Sequence, residues 1–196
     1  MDHDLIDVAL VALAAPRFRI VDAAGHVPNA SGLYAVYGAM ETWQQLGLGA
    51  APDARPLYVG KAERSLTRRD LNTHFRTGRT GQSTVRRTFA ALLRGELSLR
   101  AVPRNMNRPD DKPTHFNLDL VDDASLTAWM LDRLELAVWA KPADCAKLAV
   151  VESEVIRRWV PPLNIQGNAG SPWIPQIRGA RQTMTADVGA WVRAHR

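Results

Sequence analysis

Three kinds of residue in this chain could do chemistry together: one carboxylate on an apolar stripe, a few strand tyrosines and a run of arginines. Leu148, Glu152, Ile156 and Trp159 follow one another at spacings of four, four and three, so they share one helical face. A carboxylate on such a stripe is costly unless it is paired or holds a cation. On helix geometry alone Glu152 reads as a border residue or as the partner of an arginine rather than as a cation ligand. The chain has three tyrosines, Tyr34, Tyr37 and Tyr58, two of them in the short motifs Gly32-Leu33-Tyr34 and Tyr58-Val59-Gly60. Taken singly, each reads as a core side chain with its hydroxyl satisfied.

The net charge is +5. It is unevenly placed: between Lys61 and Arg104 eleven Lys or Arg face only Glu63, Asp70 and Glu96, a net of +8, and ten of the eleven are arginine. The planar guanidinium fork suits phosphate oxygens, so the segment reads as a polyanion site, with a solvated helix surface as the plain alternative. Arg64, Arg76, Arg79, Arg86 and Arg87 are the candidate nucleic-acid contacts. Thr84 joins them, because a helix opening near Ser83 or Thr84 offers unpaired N–H groups to a phosphate.

Other chemistries are disfavoured. The single Cys145 permits no intrachain disulfide and no thiolate zinc site. The five histidines have no ligand spacing. The first residues are acidic and their apolar run is broken by Asp7, which argues for a packing helix rather than a signal peptide or a membrane span. A cytoplasmic setting is expected, with no membrane partner and no small-molecule cofactor.

The elements that must position these residues read as follows. An N-terminal helix covers 5–14. Strands are expected at 33–37 and at 57–59, the second ended by Gly60, and the two should pair. Residues 38–56 loop out, with a helical turn near 41–46. Ser65 caps a helix to about Phe75; a further helix runs from Ser83 or Thr84 to Gly95. Possible strands lie at 97–102 and 115–120. Ser125 caps a short helix at 126–131, and 134–140 is a strand. Pro142 and Asp144 open a helix through Trp159, stopped by Pro161-Pro162. A loop covers 167–175 and a last helix 185–194. Strands and helices mix without strict alternation, so the class is α+β.

In order, Gly32-Leu33-Tyr34, Tyr58-Val59-Gly60-Lys61-Ala62, Arg68-Arg69, His74-Phe75, Glu152-Ser153-Glu154-Val155-Ile156 and Pro161-Pro162-Leu163-Asn164 together resemble the motif set of the GIY-YIG nuclease family. The resemblance implies a small, mostly antiparallel sheet flanked by helices. It divides the chain into a lead-in (1–30), a nuclease core (31–166) with insertions at about 38–56 and 100–143, and a C-terminal tail and helix (167–196). It implies metal-dependent hydrolysis of phosphodiester bonds in DNA, with Mg²⁺ or Mn²⁺ on Glu152. Tyr34 and Tyr58 would activate and orient water, in an order left open. Arg69 or Arg68 is the catalytic arginine, Asn164 supports the site, and His74 and Lys61 are polar helpers. The alternative is a non-catalytic nucleic-acid-binding module on the same fold.

Overall fold

The computed structural model describes residues 2–51, 53–69, 73–143, 145 and 147–195; of Asp2, His3, Arg68 and Arg69 it describes the backbone alone. A four-stranded antiparallel sheet lies at its centre, in the order β1 (Phe18–Arg19), β6 (Leu134–Ala140), β2 (Gly32–Gly38), β3 (Tyr58–Ala62). β2 pairs with β3 through Tyr34↔Gly60 and with β6 through Tyr34↔Val138. β3 is thus an edge strand, and the active-site candidates gather there. β6 comes from the segment expected as an insertion at 100–143, yet it is an inner strand of the sheet.

Strand alternation splits the interior into two layers. Leu33, Ala35, Tyr37, Val59, Ala137 and Trp139 face one side, where α1 (Asp2–Ala14) and α6 (Leu148–Trp159) cover them. α1 contributes Ile6, Ala9 and Leu13, spaced three and four apart. α6 contributes Leu148, Val151, Val155 and Ile156. Tyr34, Val36, Leu136 and Ala62 face the other side, in the same cluster as Phe89, Met130 and Met184. Those three sit on α4 (Thr84–Leu92), α5 (Leu120–Arg133) and α7 (Ile174–Ala194), and α2 (Met40–Gln45) forms the short helix after β2. A second, two-stranded pair joins β4 (Ala101–Val102) to β5 (Asn117–Leu118).

Several elements differ from expectation for identifiable reasons. Gly60 does not end its strand; β3 continues to Ala62 because its partner β2 extends back to Gly32. α5 begins at Leu120, capped by Asp119, whose carboxylate accepts the Asp122 N–H at 2.8 Å. Ser125 lies inside that helix and donates to the Val121 carbonyl, a common use of mid-helix serine. This early start also shortens the expected 115–120 strand to β5. α7 starts at Ile174, eleven residues before the expected 185. Pro175 suits a first turn, where no N–H is needed, and Ile177, Met184, Val188 and Val192 form its buried stripe. α6 begins at Leu148 rather than at Pro142; Asp144 lies outside the described residues. The helix expected to reach Phe75 is described as α3 (Leu66–Arg69), and Phe75 sits in a bend; residues 70–72 lie outside the described residues. Among the described residues no helix is long and apolar enough to cross a membrane.

Candidate active site

The path of the chain after α6 explains how Glu152 meets the two tyrosines from the opposite layer. α6 ends with Val160 in the left-handed region (φ 47°), and the chain then crosses the free edge of β3. Leu163 N–H donates to the Leu57 carbonyl at 2.9 Å. The Asn164 side chain acts as a further strand residue: its Oδ1 accepts the Val59 N–H at 2.9 Å and its Nδ2 donates to the Val59 carbonyl at 2.7 Å. Both edge groups of Val59 are thereby satisfied, and the residue between Tyr58 and Gly60 is fixed to the end of the Glu152 helix. Asn164 acts on the site through the backbone and belongs to its supporting frame.

Tyr34, Tyr58, Lys61, Arg64 and Glu152 line one cleft of about 520 Å³. The Tyr34 and Tyr58 rings are 6.0 Å apart, tilted by 42°. Tyr34 is fully buried, whereas Tyr58 is half-buried. Gly60 sits directly under Tyr34 in the β2–β3 register. A Cβ added there would come within 2.4 Å of the Tyr34 hydroxyl oxygen and 2.8 Å of the Tyr58 ring. Glycine at 60 is what lets the first phenol lie across the second strand. Gly32 has a similar role at the start of β2, where a Cβ would meet the Trp139 carbonyl at 2.1 Å.

The Tyr34 hydroxyl and His74 Nε2 share a hydrogen bond of 2.7 Å, and His74 Nδ1 and the Ser83 hydroxyl share another of 2.7 Å. Ser83 also caps α4 by accepting the Arg86 N–H, a contribution of about 1 kcal/mol. In one imidazole tautomer Tyr34 donates to His74, which donates to Ser83. In the other, Ser83 donates to His74, which donates to the phenol oxygen. The buried chain Tyr34–His74–Ser83 therefore tolerates either placement of the proton.

Lys61 Nζ lies 3.2 Å from Glu152 Oε2 and 3.4 Å from Glu63. Burial alone would lower the Lys61 pKa, but the attraction and hydrogen bond of Glu152, with help from Glu63, raise it above its ordinary value. The ammonium is thus held charged beside the carboxylate. Glu152 and Tyr58 also form the shared wall of a second cleft of about 550 Å³, lined by Thr84, Arg87, His115 and Arg181.

The third tyrosine is structural. Tyr37 faces the other layer, donates to the Leu13 carbonyl at 2.7 Å and lies under the Arg17 guanidinium. Burial pushes its pKa up to about 12, with Arg17 opposing.

The arginines divide. Arg86, expected to contact nucleic acid, does not reach the surface. It is fully buried and ion-paired with the equally buried Asp123, and it donates to Thr80 Oγ1, the His74 carbonyl and Thr127 Oγ1. Sequence charge could not reveal this, because its acid partner lies 37 residues away on α5. Arg87 is 5% exposed but reaches the second cleft, as does Thr84. Arg64 is exposed on the first cleft. Arg76 is exposed and Arg79 donates to Gln82; both lie outside the two clefts described. The side chains of Arg68 and Arg69 lie outside the described residues, though α3, which carries them, starts just after cleft-lining Ser65. His115 and Arg181 were missed: His115 was read as the start of a possible strand and in fact closes a 3₁₀ turn, Pro113–His115, Arg181 lies in a stretch read as tail, and neither carries a local signal.

Searches of curated proteins and of solved structures return no match. A family model described as the GIY-YIG catalytic domain matches residues 44–183, well over half of the chain. The matched span includes Tyr58, Glu152 and Asn164 and begins after Tyr34, which the β2–β3 pairing brings to the same cleft. On that match the chain belongs to the GIY-YIG catalytic domain family, whose members carry nuclease-type activity on nucleic acid.

Proposed function

We propose that this protein is a metal-dependent endonuclease that hydrolyses phosphodiester bonds in DNA. The observation that carries the reading is the single cleft shared by Tyr34, Tyr58, Lys61, Arg64 and Glu152. Tyr58, the more accessible phenol, orients the attacking water in this reading and, as phenolate, takes its proton. Tyr34 backs it, with a hydroxyl whose proton His74 and Ser83 can share. A phenol is almost wholly protonated at neutral pH, so neighbouring positive charge must stabilise the phenolate that acts as the base. Lys61 and Arg64 provide such charge, and Arg69 or Arg68 adds to it in this reading. These cations offset the negative charge that builds on the phosphoryl oxygens as water attacks.

Among the described residues no group of three or more His, Cys, Asp or Glu comes together to cage a metal. Two hard carboxylates, Glu63 and Glu152, line the same roomy cleft; one or two such ligands suit a hydrated Mg²⁺ or Mn²⁺, which keeps most of its waters. Glu152 would hold that ion, and the ion would supply Lewis-acid stabilisation of the leaving oxygen. The Lys61–Glu152 pair is the observation behind a second reading, a nucleic-acid-binding module in which the ammonium permanently neutralises the carboxylate.

A supercoiled-plasmid assay separates the two. The endonuclease converts plasmid to nicked or linear form with Mg²⁺ or Mn²⁺, and EDTA stops it. Plasmid binding without cutting under either metal would leave the binding module.

A further inference from the structure

The second cleft sets three basic side chains, Arg87, His115 and Arg181, against Glu152, a carboxylate that already pairs with Lys61. Arg87 is 5% exposed. Its Nη1 donates to the Gly81 carbonyl at 3.0 Å and its Nη2 to Thr84 Oγ1 at 3.2 Å. Its Nε is buried and has no acceptor. Among the described residues neither Arg87 nor Arg181 forms an ion pair, in contrast to Arg86, the neighbour of Arg87 on α4. Buried charges are ordinarily paired. Here the charges that act on Arg87 and His115 are those of other cations. Burial, then Arg181 and Arg104, push the Arg87 pKa down to about 10. Burial, followed by Arg87, Arg104, Lys112 and Arg181, lowers that of His115.

We infer that Arg87, Arg181, His115 and Thr84 form a second phosphate-binding subsite, one wall away from the cleft that holds Tyr34. Tyr58 and Glu152 are common to both clefts, so a strand with one phosphate at the tyrosines can lay a neighbouring phosphate against Arg87. The guanidinium is already fixed by backbone acceptors, so little further ordering is needed on binding. The subsite deepens the nuclease reading and rests on it for the identity of the ligand, a phosphate of the nucleic-acid substrate.

The test is equilibrium binding of a short labelled DNA to the full chain in EDTA, so that no cutting occurs, using one oligonucleotide with a 5′-phosphate and one without. Arg181→Glu should weaken binding about tenfold or more. Arg181→Gln should reduce the slope of log affinity against log salt by about 1, and Arg181→Lys should restore most of it. Thermal melting checks that each variant folds. An equal effect on both oligonucleotides places an internal phosphodiester in the subsite; an effect confined to the 5′-phosphorylated one places a terminal phosphate there. Folded Arg181→Glu and Arg181→Gln proteins that bind both DNAs with wild-type affinity and slope overturn the subsite. A wild-type protein that never cuts plasmid would sink the nuclease reading but leave this result standing. Unchanged binding by the variants of a protein that does cut would sink the subsite alone.

Discussion

Tyr58→Phe should slow DNA cleavage by roughly 10²–10⁴-fold, the usual contribution of a positioned acid–base group, while leaving DNA binding close to wild type. The phenol oxygen is the only atom removed, and the half-buried ring keeps its place beside Tyr34. Tyr34→Phe should also slow cleavage, but with a second signature. It removes a hydrogen bond from the buried imidazole of His74, which costs about 1–3 kcal/mol of stability. Single-turnover cleavage and thermal unfolding of both variants distinguish the roles. A large rate loss is expected for Tyr58→Phe, and a rate loss with a melting temperature lowered by the lost His74 hydrogen bond for Tyr34→Phe. Wild-type cleavage by Tyr58→Phe would remove that residue from the chemistry.

Asp123→Ala is expected to destabilise the protein by about 3–5 kcal/mol, because it strands a fully buried guanidinium. Arg86 and Asp123 are each completely inaccessible. Arg86 also ties together the 3₁₀ turn at Thr80–Gln82, the carbonyl of His74 and Thr127 on α5. Removing its Asp123 partner therefore loosens the frame that holds His74 against Tyr34. Chemical denaturation measures the effect, and a loss below about 1 kcal/mol would contradict the burial of the pair. The double variant Arg86→Met with Asp123→Leu should recover much of the stability, since apolar replacement of both partners of a buried pair is often close to neutral.

The contrast between Arg86 and Arg87 shows where sequence reading stops. Both were counted as surface cations, since a charge count carries no information about depth. Which arginine turns inward depends on Asp123, a contact across 37 residues that no local spacing encodes. Glu152 was easier to place, because the helical period puts it beside Leu148 and Ile156. What the period could not supply is the crossing of β3 by residues 160–164, which brings that face to the tyrosines. β2 and β6 were legible from their branched and aromatic content. Their adjacency was not, as nearly a hundred residues separate them. Gly60 was read as punctuation because glycine commonly ends strands; its close contact with Tyr34 emerges only once the strand register is known. The early start of α7 was hidden because Gly179 interrupts good helix formers, and packing on α4 overrides that weak local preference.

The most direct test of the proposed centre compares wild type with Glu152→Ala in plasmid nicking and DNA binding, side by side, with Mg²⁺ and with Mn²⁺. If Glu152 holds the metal in a cleft shared with Tyr34 and Tyr58, wild type nicks the plasmid with either ion. The variant then binds DNA, melts near the wild-type temperature and does not cut. Equal nicking by the two proteins, or none by either under both ions, would contradict the account.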